Sequence, residues 1–61
     1  MITFKTMLDG SQQILYDGRV IGEIEKCKGE WRMNLHKSCG WLDGDSVERI
    51  GVHMRIMGMV R

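Results

Sequence analysis

Between Leu15 and His36 the chain alternates apolar and polar positions around two short glycine-bearing breaks. In "LYDGRV" the Asp17-Gly18 pair separates two apolar runs, the strongest local signal for a tight hairpin. In "KCKGEW" the Lys28-Gly29 pair stands in a similar setting. Two-residue loops at both breaks set a register. Tyr16 then faces Arg19, Leu15 faces Val20, and Ile14 faces Ile21. In the second hairpin Cys27 faces Glu30, Lys26 faces Trp31, Glu25 faces Arg32, Ile24 faces Met33, and Gly22 faces Leu35. Side chains alternate between the two faces of a sheet. One face therefore collects Leu15, Val20, Gly22, Ile24, Trp31, Met33 and Leu35, with the stem of Lys26 along Trp31. The other collects Glu23, Glu25, Cys27, Glu30, Arg32, Asn34 and His36, with Glu25 and Arg32 as a cross-strand pair of opposite charge. A sheet covered on one side needs this division. Ile14, Ile21 and Tyr16 break it and are expected as a small apolar patch on the outer face. "MITFKTML" adds an edge strand, with "DGSQ" as its turn.

The last third, "WLDGDSVERIGVHMRIMGMVR", carries two conflicting patterns. Arg49 to Ile56 alternates, as a strand does, and Gly51, Gly58 and several β-branched residues disfavour a helix. Yet "DGDSVERI" is a helix start, with Asp45 or Ser46 to cap and Glu48 three residues after Asp45. At 100° per residue Val47, Ile50, Gly51, Met54, Met57 and Gly58 share one face. Val52, Ile56, Met59 and Val60 then lie opposite, interspersed with Arg49, His53 and Arg55. The helix is the preferred reading. The expected fold is α+β: one domain, residues 1–61, with a three- to four-stranded antiparallel meander and a C-terminal helix on one face. An all-β chain with a C-terminal strand is the alternative. A helix apolar on both sides needs cover on both sides. The sheet supplies one cover, and a second subunit or a partner the other.

Size sharpens that expectation. A chain of 61 residues buries only about 60% of its unfolded surface. Domains this small usually add a disulfide, a metal or a partner. Nine basic residues against eight acidic ones argue against a strongly basic nucleic-acid binder. Two cysteines are too few for a secreted disulfide framework. The absence of a long apolar run or a signal-peptide pattern makes a reduced, cytoplasmic setting, without membrane contact, the expectation. Six methionines suit gap-filling in a small core.

"CKGEWRMNLHKSC" has the outline of half a zinc site. The hairpin register opposes it: Cys27 and His36 end up about 20 Å apart along the sheet, whereas zinc ligands lie about 2 Å from one metal. The same separation opposes a Cys27–Cys39 disulfide. His36, Cys39 and His53 could converge, but they lack the closely spaced pair that marks zinc sites. No metal or other cofactor is expected. Nor is catalysis. No paired carboxylates, positioned nucleophile or phosphate-binding loop stands out. Asp9, Asp17, Asp43 and Asp45 occupy turn-like contexts, where aspartate bonds nearby backbone.

The order of "YDGRVIGEIEKCKGEWRMNL" followed by a capped helix resembles small phage and prophage proteins. Those read as a strand, "G-x-x-I-G-x-I", a turn, "G-x-W", a strand and a short helix. Gly18, Ile21, Gly22, Ile24, Gly29 and Trp31 carry the match, over about two thirds of the chain. A second likeness, over a third of the chain, is to the N-terminal domain of HicB-type antitoxins. "CGWLDGDS", Cys39 to Ser46, is similar to their strand-to-helix loop, with Cys39 and Gly40 in reversed order and no proline. The first resemblance implies an accessory protein that docks on a host or bacterial defence protein, in the bacterial cytoplasm, and inhibits or redirects it. The expected partner surface is Trp41, Arg49, Arg55, Ile56 and Met59, since Trp, Arg and Met are enriched at interfaces. A homodimer through the C-terminal segment is compatible with this. Trp41 could instead be a lid on the core. The alternative function is nucleic-acid binding or antitoxin-like regulation through a strip of Arg32, Lys37, Arg49, Arg55 and Arg61. Glu23, Glu25 and Glu30 on the same sheet, and the lack of stacking aromatics there, count against it.

Overall fold

A computed structural model describes residues 1–37 and 40–59. It has four strands and one helix: β1 (Ile2–Thr6), β2 (Gln12–Tyr16), β3 (Arg19–Cys27), β4 (Glu30–Leu35) and α1 (Gly44–Met59). The strands form an antiparallel meander in the order β1-β2-β3-β4, and α1 packs across one face, touching β1 and β4. This is the expected α+β architecture, with the helix rather than the strand at the C-terminal end.

Both tight turns form at the expected residues. Asp17 and Gly18 have φ of 50° and 84°, Lys28 and Gly29 of 53° and 84°. Two successive positive φ values define the turn whose twist matches that of the flanking strands. The β3–β4 register is the expected one, from Cys27↔Glu30 to Gly22↔Leu35. Lys26 Nζ lies 5.7 Å from the centroid of the Trp31 ring. Arg32, opposite Glu25 in register, reaches Glu30 instead, at 3.7 Å along its own strand. The β1–β2 loop is held by Asp9, whose Oδ1 accepts from the Ser11 amide at 2.9 Å and the Ser11 hydroxyl at 2.6 Å. Those two donors favour the charged carboxylate and hold Asp9 below its ordinary pKa.

The β2–β3 pairing departs from a simple ladder. Tyr16↔Arg19 and Leu15↔Val20 are as expected, but Ile14 pairs with Gly22. Ile21 is the extra residue of a β-bulge, and a bulge rotates the side chains that follow it relative to the partner strand. This corrects the assignment of faces. Ile14 and Ile21 lie in the core, at 0% and 4% exposure, with Ile2, Ile24 and Ile50. Leu15 and Val20 instead lie half-buried on the outer face. In an unbulged β3, Ile21 and Ile24, three residues apart, would point to opposite faces. The bulge brings both inward and so buries more apolar surface.

The helix starts earlier than expected and in a different phase. Asp43 is its cap: the Val47 amide donates to the Asp43 carbonyl at 3.1 Å, and the Ser46 hydroxyl donates to Asp43 Oδ1 at 2.5 Å. The first is the opening bond of the helix, and the second ties the Ser46 side chain to the residue that starts it. Ser46 and Ile50 are buried, and His53, Met54 and Met57 are half-buried. Val47, Gly51 and Gly58, expected on the sheet-facing side, are exposed. His53, expected on the outer side, faces the sheet. Its ring stacks on Phe4 at 3.6 Å between centroids, and Nε2 lies 2.5 Å from Gln12 Oε1. Flat stacking and a polar partner make the imidazole the better fit over β1 and β2. Burial lowers its pKa, because the charged form loses hydration there.

Candidate functional site

The five residues expected to meet a partner are all exposed, but they do not form one patch. Ile56 and Met59 are 56% and 75% exposed, and Val52, between Arg49 and Ile56, is 44% exposed. At 100° per residue Val52, Ile56 and Met59 fall within a sector of about 60°, roughly 130° round from the buried stripe. Arg49 and Arg55 flank this sector and are exposed. Trp41 lies elsewhere. It precedes a helix of 16 residues, so Met59 is at the far end, about 24 Å along the axis. The Trp41 side chain is fully exposed, which rules out its reading as a lid.

Two clefts open at the Trp41 end of the molecule and share Tyr16 as a wall. The larger, about 550 Å³, runs between the first turns of α1 and the start of β1; Ile2, Tyr16 and Val52 give it apolar lining, and Asp43, Asp45 and Glu48 stand there with Met1 and Arg49. The smaller, about 270 Å³, lies between Tyr16, Arg19, Ile21, Trp41 and Leu42. The bulge sets up this arrangement, because it puts Tyr16 on the helix-covered side just beyond the start of α1. Sequence reasoning placed Tyr16 on the outer face and so did not bring these clefts together. The signal was present in the spacing of Ile21, Gly22 and Ile24.

The outer sheet face carries a polar network instead. Glu23 bonds His36 Nε2 at 3.0 Å and the Asn34 side chain at 3.4 Å. His36 is thereby on the opposite side of the sheet from His53. The two histidines do not converge, and Cys39, the third residue of that trio, lies outside the described residues. Cys27 is exposed at the second turn. The basic strip does not assemble either. Arg32 is on the outer sheet face and Arg49 and Arg55 are on the helix across the sheet, while Arg61 lies outside the described residues. Among the described residues no group of three or more His, Cys, Asp or Glu could hold a metal ion, and no helix is long and apolar enough to cross a membrane. Comparison with family models, curated proteins and solved structures finds no match to the chain.

Proposed function

We propose that the chain is a non-catalytic protein-binding module that docks through the outer side of α1. The observation that carries this reading is the exposed Val52–Ile56–Met59 stripe between Arg49 and Arg55. A regular helix leaves no unpaired backbone along such a stripe. Its apolar side chains can enter a groove at spacings of three and four residues, which is how helix-in-groove recognition works. The arginines supply the charged rim. The resemblance to phage accessory proteins adds the kind of partner: a bacterial host or defence protein, whose activity docking would inhibit. Protein is preferred to nucleic acid because Arg32 is separated from Arg49 and Arg55 by the sheet, and its neighbours on the outer face include Glu23, Glu25 and Glu30.

The test compares the native chain with Ile56→Glu and with Leu15→Glu on the opposite face. Light scattering over a concentration series first gives the solution mass. A native dimer that Ile56→Glu converts to a folded monomer identifies the partner as a second copy. With a native monomer, all three serve as baits in bacterial lysate. The expected result is a stoichiometric partner held by the native chain and Leu15→Glu and lost by Ile56→Glu, with its thermal midpoint unchanged. A native monomer with no captured partner, or one held equally by all three, would refute docking through this stripe.

A further inference from the structure

We infer that the open edge of β4 pairs, antiparallel, with the same edge of a second copy of the chain, joining two four-stranded sheets into one of eight strands. This surface is separate from the Val52–Ile56–Met59 stripe and does not rest on it.

The backbone gives the first part of the argument. The His36 amide donates to the Ile21 carbonyl at 2.8 Å, continuing the β3–β4 ladder by one pair. In an antiparallel pair, residues that exchange bonds with the neighbouring strand alternate with residues whose amide and carbonyl groups point away from it. Glu30, Arg32, Asn34 and His36 therefore bond β3, and Trp31, Met33 and Leu35 aim their backbone groups outward. β4 ends the strand order, and among the described residues no strand pairs with its outer side. Proteins commonly blunt such an edge with a lysine, a proline or a bulge. β4, "EWRMNL", has none of these, and its register against β3 is unbroken. β1, the opposite edge, is shorter and carries Lys5.

The side chains then select a second copy as the occupant and fix its register. Outward-aimed residues must meet outward-aimed ones, so the two copies can slide past each other only in steps of two residues. With Met33 on the two-fold axis, Met33 faces its own copy and Trp31 faces the partner's Leu35, on the side that α1 covers. On the other side Arg32 faces the partner's Asn34, and Glu30 faces the partner's His36. Every residue from Glu30 to His36 is paired, with about six backbone bonds and no like charges opposed. One step in one direction sets Arg32 against its own copy, and one step in the other sets it against the partner's His36. Sliding further brings in the Lys28-Gly29 turn, whose φ values of 53° and 84° cannot continue a strand. The pairing also accounts for Met33. It lies opposite the fully buried Ile24, on the core face, yet is 41% exposed. A second Met33 beside it covers that surface, and the flexible thioether adapts to a copy of itself.

The test joins light scattering over a concentration series to cysteine cross-linking. The native chain should dimerise. Met33→Lys sets two ammonium groups against each other at the axis and should give a monomer with an unchanged circular dichroism spectrum. Ile56→Glu should remain a dimer, which separates this interface from the helix stripe. In a Cys27→Ser/Cys39→Ser background, Met33→Cys should form a covalent dimer under mild oxidation, because facing Cα atoms about 5.5 Å apart suit a disulfide. Glu30→Cys, about 20 Å from its own copy in this register, should not. The inference is overturned by a native chain that stays monomeric, by a dimer that survives Met33→Lys or is dissolved by Ile56→Glu, or by equal cross-linking at the two cysteine positions. If Met33→Lys fails to fold, the cross-linking comparison decides.

Discussion

Gly22→Ala tests the bulge on which the arrangement of the core depends. In an ordinary strand alanine is better than glycine by about 0.5–1 kcal/mol, because glycine loses more backbone freedom on folding. At Gly22 the space is occupied. An added Cβ would overlap the Asn34 carbonyl oxygen and would sit 3.0 Å from Leu35 Cδ2 and 3.1 Å from Leu35 Cα. The leucine side chain can rotate away, but the two backbone atoms move only if β4 moves. Gly22 pairs with Leu35 on one side and Ile14 on the other, and next to it the His36 amide donates to the Ile21 carbonyl at 2.8 Å. Shifting β4 therefore stretches the ladder where the bulge already interrupts it.

Overpacking costs about 1–3 kcal/mol, and each weakened ladder bond about 1 kcal/mol more. Set against the ordinary gain from alanine, the net loss is about 2–3 kcal/mol. A domain of this length has about 3–9 kcal/mol in all. The thermal midpoint should fall by about 10–20 °C. Urea unfolding followed by circular dichroism and tryptophan fluorescence gives the difference directly, with an unchanged slope showing that both proteins unfold in the same way. A variant as stable as the native chain, or more stable, would refute the reasoning. It would mean that β3 runs without a bulge past Gly22 and that Ile21 points outward.

Gly51→Ala is the contrasting case. An added Cβ at Gly51 meets nothing within 4 Å, so the helix should gain about 1 kcal/mol from propensity alone; a loss in the same urea assay would mean that Gly51 is covered. The pH dependence of stability should show two windows. The His53 pKa is lowered from 6.5 by burial, so the unfolded chain binds this proton more readily, and stability falls as pH drops through 6.5 towards the folded value. His53→Phe should reduce that slope, and the His53 ring signals should titrate below 6.5; titration at or above that value would refute the burial argument. The Asp9 and Asp43 pKa values are lowered from 3.8 by their serine donors, so their contribution is present above pH 3.8 and is lost below it.

Much of the fold follows from local chemistry and was legible for that reason. Asp17-Gly18 and Lys28-Gly29 specify their turns through positive φ, and each turn fixes the pairs beside it. From the second turn the register runs without interruption to Leu35. From the first it runs for only two pairs before the bulge. The bulge is a tertiary effect: its benefit is the burial of Ile21 beside Ile14 and Ile24 under a helix distant in sequence. The helix phase was misjudged for a related reason. Hydrophobicity alone favours Val47 over Ser46 and His53 for the buried side. Ser46 is buried because its hydroxyl has Asp43 as an acceptor, and His53 because it has Phe4 to stack on and Gln12 to bond. Hydrophobic periodicity counts such residues as polar, although with a partner in place they are inexpensive to bury. The candidate stripe was legible in part, since Ile56 and Met59 stay outside in either phase. The clefts were not, because they depend on where the bulge sends Tyr16.

The two candidate surfaces follow from the same packing. Among the described residues the core holds only five buried apolar side chains, all isoleucines. A single helix over four strands covers one side of itself and one face of the sheet, and the rest of both remains at the surface. A helix needed only to close this core would be served by polar residues on its outer side. Here that side keeps Val52, Ile56 and Met59, and the residue just before the cap region is a fully exposed tryptophan. Retaining these side chains in water costs solubility without strengthening the core, which favours a role in contact with other molecules. The chemistry differs at the two ends. The far half of the stripe combines apolar side chains with Arg55, while the cap end combines aromatic rings with charges of both signs. Ile56→Glu should therefore abolish an interaction that Trp41→Ala leaves intact; loss by both variants would mean that the two ends present one continuous surface.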